Sequence, residues 1–118
     1  MISLPPGTKV WLKAGRTDMR CGFDGLAAQI QSALAENPLS GHVFVFRGRM
    51  GDRVKVLWWD GQGMCLFYKR IEKGSFTWPA AKDGKVSVTA AQLMSLLEGM
   101  DWRLTRAAQQ AAQPTRVG

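Results

Sequence analysis

Histidine and cysteine are scarce in this chain: His42 is the only histidine in 118 residues, and the two cysteines are Cys21 and Cys65. Neither cysteine has a second Cys or His beside it at ligand spacing, so no zinc site is expected. In a reducing cytoplasm both read as thiols at least half buried, acting as small hydrophobes. Acids are few as well, with nine Asp plus Glu. Asp18, Asp24, Asp52, Asp60, Asp83 and Asp101 mostly fall in turns or at helix ends, where Asp satisfies backbone donors, and no cluster suited to acid–base or two-metal chemistry is visible. A phosphate loop is missing too, since Gly48-Arg49-Met50-Gly51 has neither the spacing nor the lysine. His42 precedes a run of β-formers and reads as a strand-end residue with a satisfied ring. The expectation is a protein that is not an enzyme and carries no metal or cofactor.

Long apolar runs are also lacking. Stretches such as Val43–Phe46 and Val56–Trp59 fall far short of the roughly 20 residues needed to cross a bilayer, so no membrane partner is expected. Met1-Ile2-Ser3-Leu4-Pro5-Pro6 shows no basic leader before an apolar stretch, which leads to the expectation of a cytoplasmic protein.

What is present is a folding composition with a basic excess. The chain is 46% hydrophobic with five Trp and five Phe, and its length suits one domain. Sixteen Lys plus Arg give a net charge of +7. Residues 1–20 carry +3, 43–73 carry +4 and 102–118 carry +3, while 21–42 and 74–101 are slightly acidic. Such a balance suits an anionic partner, nucleic acid being the commonest, and it also serves solubility.

Hydrophobic periodicity lays out the elements. Lys9–Lys13 reads as a first strand after the Pro5-Pro6-Gly7 turn. Phe23, Leu26, Ile30 and Leu34 form one stripe of a helix over about 23–36, approached by Asp18 or Thr17 as cap and stopped by Asn37-Pro38. Val43–Phe46, Val54–Trp59 and Met64–Arg70 read as a three-stranded antiparallel meander, with turns at Arg49–Asp52 and Asp60–Gly63. Shorter strands are expected at Ser75–Trp78 and Lys85–Val88. Thr89-Ala90-Ala91-Gln92 is a capping box opening a second helix with Leu93, Met94, Leu96 and Leu97 as its apolar face, ending at Gly99. These elements predict a single α+β domain over 1–106, an antiparallel sheet of about five strands with two helices. Residues 107–118, poor in large apolar side chains, are expected to be a disordered tail.

If the Asp60–Gly63 turn pairs Trp59 with Met64, one face of the hairpin shows Lys55, Leu57, Trp59, Met64, Leu66 and Tyr68. The other shows Val54, Val56, Trp58, Cys65, Phe67 and Lys69. Both faces are apolar, so either one helix covers each or part of one stays open for a partner. The first arrangement is favoured because small domains bury what they can.

Candidate binding residues are the basic side chains of the meander. Arg47, Arg49, Arg53 and Lys55 surround one turn, and Lys69, Arg70 and Lys73 end the next strand. Guanidinium groups on a turn can grip phosphates, and Trp58, Trp59, Phe67 or Tyr68 could stack on bases if exposed, with Trp58, Trp59 and Trp78 the candidates for stacking or partner contact. The alternative is a solvated rim of arginines beside Asp52, Asp60 and Glu72, with the aromatics in the core.

Thr17–Ala27 (TDMRCGFDGLA), His42–Arg49 (HVFVFRGR), Lys55–Asp60 (KVLWWD), Lys69-Arg70 with Phe76–Pro79 (FTWP), and Gln92–Trp102 (QLMSLLEGMDW) follow one another in an order and spacing that closely resemble a known family. It is that of the accessory TnpB proteins of insertion sequence 66 elements, products of the second open reading frame. The likeness covers about 4–103 and does not extend to the RNA-guided nucleases of the same name, whose carboxylate triad this chain lacks. The resemblance implies a non-catalytic accessory protein for transposition of a bacterial insertion sequence, the strand-transfer enzyme being a separate product. It supplies no catalytic residue. The partners expected are DNA of the element ends and the element's transposase, with a homo-oligomer left open. The competing reading is a protein-only module bridging the transposition complex through an apolar sheet face.

Overall fold

In the computed structural model, which describes residues 4–81 and 84–101, the chain forms β1 (Val10–Arg16), α1 (Phe23–Ser32), β2 (Val43–Arg47), β3 (Arg53–Trp59), β4 (Met64–Arg70), β5 (Lys85–Val88) and α2 (Ala90–Leu97). The hairpin of β3 and β4 forms first in the logic of the sequence. Asp60 Oδ1 accepts from the backbone N–H groups of Gln62 and Gly63, each at 2.8 Å, and Gly61 turns the chain at φ +100°. That turn sets the expected register, Trp59 opposite Met64 through to Arg53 opposite Arg70.

Parity then sends side chains to two cores. On one face Val54, Val56, Trp58 and Phe67 pack with Leu93, Leu96 and Leu97 of α2 and with Phe76. On the other, Leu57, Met64 and Leu66 join Phe44 and Phe46 beneath Leu26, Ile30 and Leu34. One helix therefore covers each face, the favoured outcome. Leu26 is fully buried, so Leu26→Ala is expected to destabilise by about 2–5 kcal/mol in urea titration, while exposed Gln31→Ala should change stability by less than about 0.5 kcal/mol. Equal costs would refute this helix phase.

The expected α+β domain forms, a mostly antiparallel sheet of five strands with two helices, and finer expectations are corrected. The sheet order is β4-β3-β2-β1-β5, and β1 runs parallel to β2, with α1 as the crossover; the other neighbours are antiparallel. Ser75–Trp78 is not a strand. Phe76 N–H and Trp78 Nε1–H both donate to Gly51 O at 2.9 Å, so this segment braces the β2–β3 turn instead. The regular part of α1 stops at Ser32, short of 36, because Ala35 adopts φ 54° and Glu36 N–H reaches back to Ile30 O. Neither Asp18 nor Thr17 caps α1: Gly22 is its N-cap, with no side-chain bond. Phe23 is 48% exposed, and Met19 and Cys21 of the preceding loop pack on the α1 core instead. In α2 the capping box forms as expected, Thr89 Oγ1 accepting from Gln92 N–H and Gln92 Oε1 from Thr89 N–H. The tail expected over 107–118 lies outside the described residues, as does any strand-flanking role of Asp83.

Candidate nucleic-acid interface

Four arginines from two separate stretches of chain surround one open groove of about 690 Å³. Arg16 ends β1 and Arg20 lies in the loop before α1; Arg49 and Arg53 belong to the β2–β3 turn and the start of β3. The two walls touch, since a Cβ on Gly48 would stand 3.0 Å from Met19 Cγ and 3.2 Å from Arg53 Cβ. The loop wall is held by Lys55. Its Nζ donates to Met19 O at 2.7 Å and Cys21 O at 2.6 Å, the carbonyls on either side of Arg20. Thr17 also lines the groove; it is 4% exposed, and its hydroxyl has no hydrogen-bond partner among the described residues.

The charges are crowded in a way that folding alone does not favour. Arg53 stands directly opposite Arg70 on β4, and Arg16 beside Arg47 on β2. Like charges in register across a sheet destabilise it, and an anion in the groove relieves the Arg53–Arg70 juxtaposition, whereas Arg47 points to the other face of the sheet. Two acids, Asp18 and Asp52, line the groove with the arginines; the exposed Asp18 carboxylate accepts from Arg20 Nε and Nη2 and from Arg20 N–H, at 2.7 to 3.1 Å. Those hydrogen bonds, side-chain first and backbone second, hold its pKa at about 2 against an ordinary 3.8. The pair's contribution is thus present above 3.8 and lost only as pH falls through about 2. The remaining face of the Arg20 fork is free to meet a phosphate near neutral pH.

The sequence-predicted residues sort into four groups. Arg49 and Arg53 line the groove; Arg70, opposite Arg53 on β4, does not line it and pairs with Glu72 at 3.3 Å. Arg47 lies on the α2 face, its guanidinium 5.7 Å from the Trp78 ring centroid, and lines a second cleft with Trp78 and Lys13. Lys73 is exposed outside both. Two lysines leave the candidate set. Lys55 is 6% exposed and engaged as above, and Lys69 Nζ donates to Leu97 O at 2.6 Å, satisfying a carbonyl at the C-terminus of α2. Lys85 does the same for α1, donating to Leu34 O at 2.8 Å and pairing with Glu36.

The tryptophans are not brought to the groove, whereas Tyr68, 48% exposed, stands beside it and its hydroxyl accepts from Arg53 Nη1 at 3.4 Å. Trp58 and Trp59 line a separate cleft of about 510 Å³ with His42, Pro5 and Pro6, at the far end of β3, about 20 Å away. Trp78 braces the turn from the other face. His42 Nδ1 accepts from Lys9 N–H at 3.0 Å. Sequence reasoning missed Arg16, Arg20 and Thr17. The signal was the +3 charge of residues 1–20, which periodicity alone could not bring beside the β2–β3 turn.

Among the described residues no three His, Cys, Asp or Glu side chains converge as a metal site, and no helix is long and apolar enough to cross a membrane. Cys21 and Cys65 are both free and half-buried.

Comparison with known proteins identifies the family of the chain. The family described as "IS66 Orf2 like protein" matches residues 8–107. Two relatives come from Sinorhizobium fredii (strain NBRC 101917 / NGR234). "Uncharacterized protein y4hO" is 51% identical over 117 residues, covering 98% of this chain and 99% of the relative. "Uncharacterized protein y4jC" is 36% identical over 117 residues, covering 99% of each. No solved structure matches. The family match spans both walls of the groove and both helices, and with relatives alike over their whole length the chain belongs to the IS66 Orf2-like family, whose role is that of a transposition accessory.

Proposed function

We propose that the protein binds duplex DNA of its insertion sequence, at the element ends, through the arginine groove, and that it acts there by binding and not by cutting. One observation carries the reading: Arg16, Arg20, Arg49 and Arg53, from stretches about thirty positions apart, converge on one groove. Arginine forks suit phosphate oxygens bidentately, and four such contacts neutralise a short length of backbone without reading its sequence. The transposase, bound to the same ends in the cytoplasm, is the protein partner that this reading supplies. A bridge through an open sheet face finds less support, because a helix lies on each face.

Fluorescence anisotropy of a labelled duplex across a salt series tests this. Four phosphate contacts predict a log–log slope of about −3.6, and Arg49→Ala should flatten it by about 0.9 for duplexes of any sequence, with the melting temperature unchanged. Absence of binding at low salt, or an unaltered slope in Arg49→Ala, would leave the arginines as a solubilising rim. Transposase association that persists at high salt and fails in Trp59→Ala would then favour the bridge.

A further inference from the structure

The tip of the β2–β3 turn carries an apolar side chain where a purely electrostatic contact calls for none. Met50 is 79% exposed, more than Phe23, Leu39, Tyr68 or Met100, the other exposed large apolar residues described. It lines the arginine groove between Arg49 and Arg53, and Arg47 lies on the opposite face of the sheet at the same turn. A single exposed apolar residue is ordinary on a protein surface. What sets this one apart is its company: cationic side chains flank it on both faces.

The turn is also braced. Gly51 N–H bonds Gly48 O at 3.1 Å, and Gly48 N–H bonds Arg53 O at 3.0 Å. Gly51 O accepts from Phe76 N–H and Trp78 Nε1–H, and Ile71 N–H bonds Asp52 O at 2.8 Å. Gly51 has φ +77°, and a Cβ there would press on Ser75 Cβ and Trp78 Nε1, each at 3.3 Å, so the backbone beneath Met50 is pinned. A pinned apolar tip between cations matches the way proteins open a DNA base step: arginines hold the phosphates while the wedge unstacks the bases and the duplex kinks.

We propose that Met50 is such a wedge, entering the minor groove between two base pairs and bending the duplex that the arginines grip. This inference rests on the groove reading above and adds a mechanical role, the shaping of element DNA. Affinity is carried mainly by phosphate contacts, so wedge and grip are separable by substitution.

The experiment uses the full chain and a duplex of about 20–30 base pairs, with donor and acceptor dyes at its ends and 2-aminopurine replacing adenine at successive steps. Binding of the wild type should raise energy transfer and brighten 2-aminopurine at one step, and Met50→Leu should do the same. Met50→Ala, compared at protein concentrations where anisotropy shows the duplex saturated, should leave both signals at free-duplex values. Wild-type binding with the expected salt slope but unchanged transfer and dark 2-aminopurine would overturn the wedge and spare the groove. So would bending by Met50→Ala equal to wild type. Failure of the wild type to bind at low salt would overturn both.

Discussion

Replacing Arg16, Arg20, Arg49 and Arg53 together with alanine is expected to weaken duplex binding at low salt by at least about a thousandfold and to flatten the salt slope by about 3 to 4. Each guanidinium lost removes one charge-assisted contact and one set of released counterions, and losses within one groove need not add. Stability should hold or rise slightly. Arg53 would no longer face Arg70, and the exposed Arg20–Asp18 pair contributes little to folding. Thermal melting followed by circular dichroism checks that half, and anisotropy checks the other. A quadruple variant that melts normally and still binds with the wild-type slope would end the groove reading.

The second large effect is on stability. Lys55→Ala should destabilise the domain by about 2–4 kcal/mol, out of a typical total of about 5–15. The side chain is 6% exposed; its ammonium serves Met19 O and Cys21 O and sits 4.7 Å from the Tyr68 ring centroid. Alanine removes the packing and strands two carbonyls. Lys55→Met keeps much of the packing and strands the same carbonyls, so the difference between the variants separates the two contributions in urea titrations. Because those carbonyls flank Arg20, Lys55→Met should also weaken DNA binding several-fold under conditions where it is folded. A Lys55→Ala variant within about 0.5 kcal/mol of wild type would mean that the lysine is solvated.

Lys55 also shows why a basic residue's role is hard to read from its neighbours in sequence. Arg47, Arg49, Arg53 and Lys55 look alike as a cluster. Strand parity sends Arg53 and Lys55 to the α1 face and Arg47 to the α2 face, where it lies against Trp78. Then the loop at 19–21 closes over Lys55 and leaves Arg53 on the groove. Lys69 and Lys85 tell the same story at helix C-termini, where orphan carbonyls attract an ammonium from a distant strand.

Features whose energetics are local were legible in the sequence. The Thr89–Gln92 capping box closes within four residues, and the Asp60–Gly63 turn sets the β3–β4 register, which in turn assigns every hairpin side chain to a face. The stripe of Leu26, Ile30 and Leu34 and the family resemblance were likewise present in residue order alone. Only the tertiary structure decided that β1 pairs in parallel with β2, that Ser75–Trp78 braces a turn instead of joining the sheet, and that Arg16 and Arg20 meet Arg49 and Arg53. The physical reason is one of range. A capping or turn hydrogen bond is satisfied by neighbours along the chain, whereas a strand's partner, a lysine's desolvation and a groove's two walls depend on which distant segments the buried apolar faces bring together.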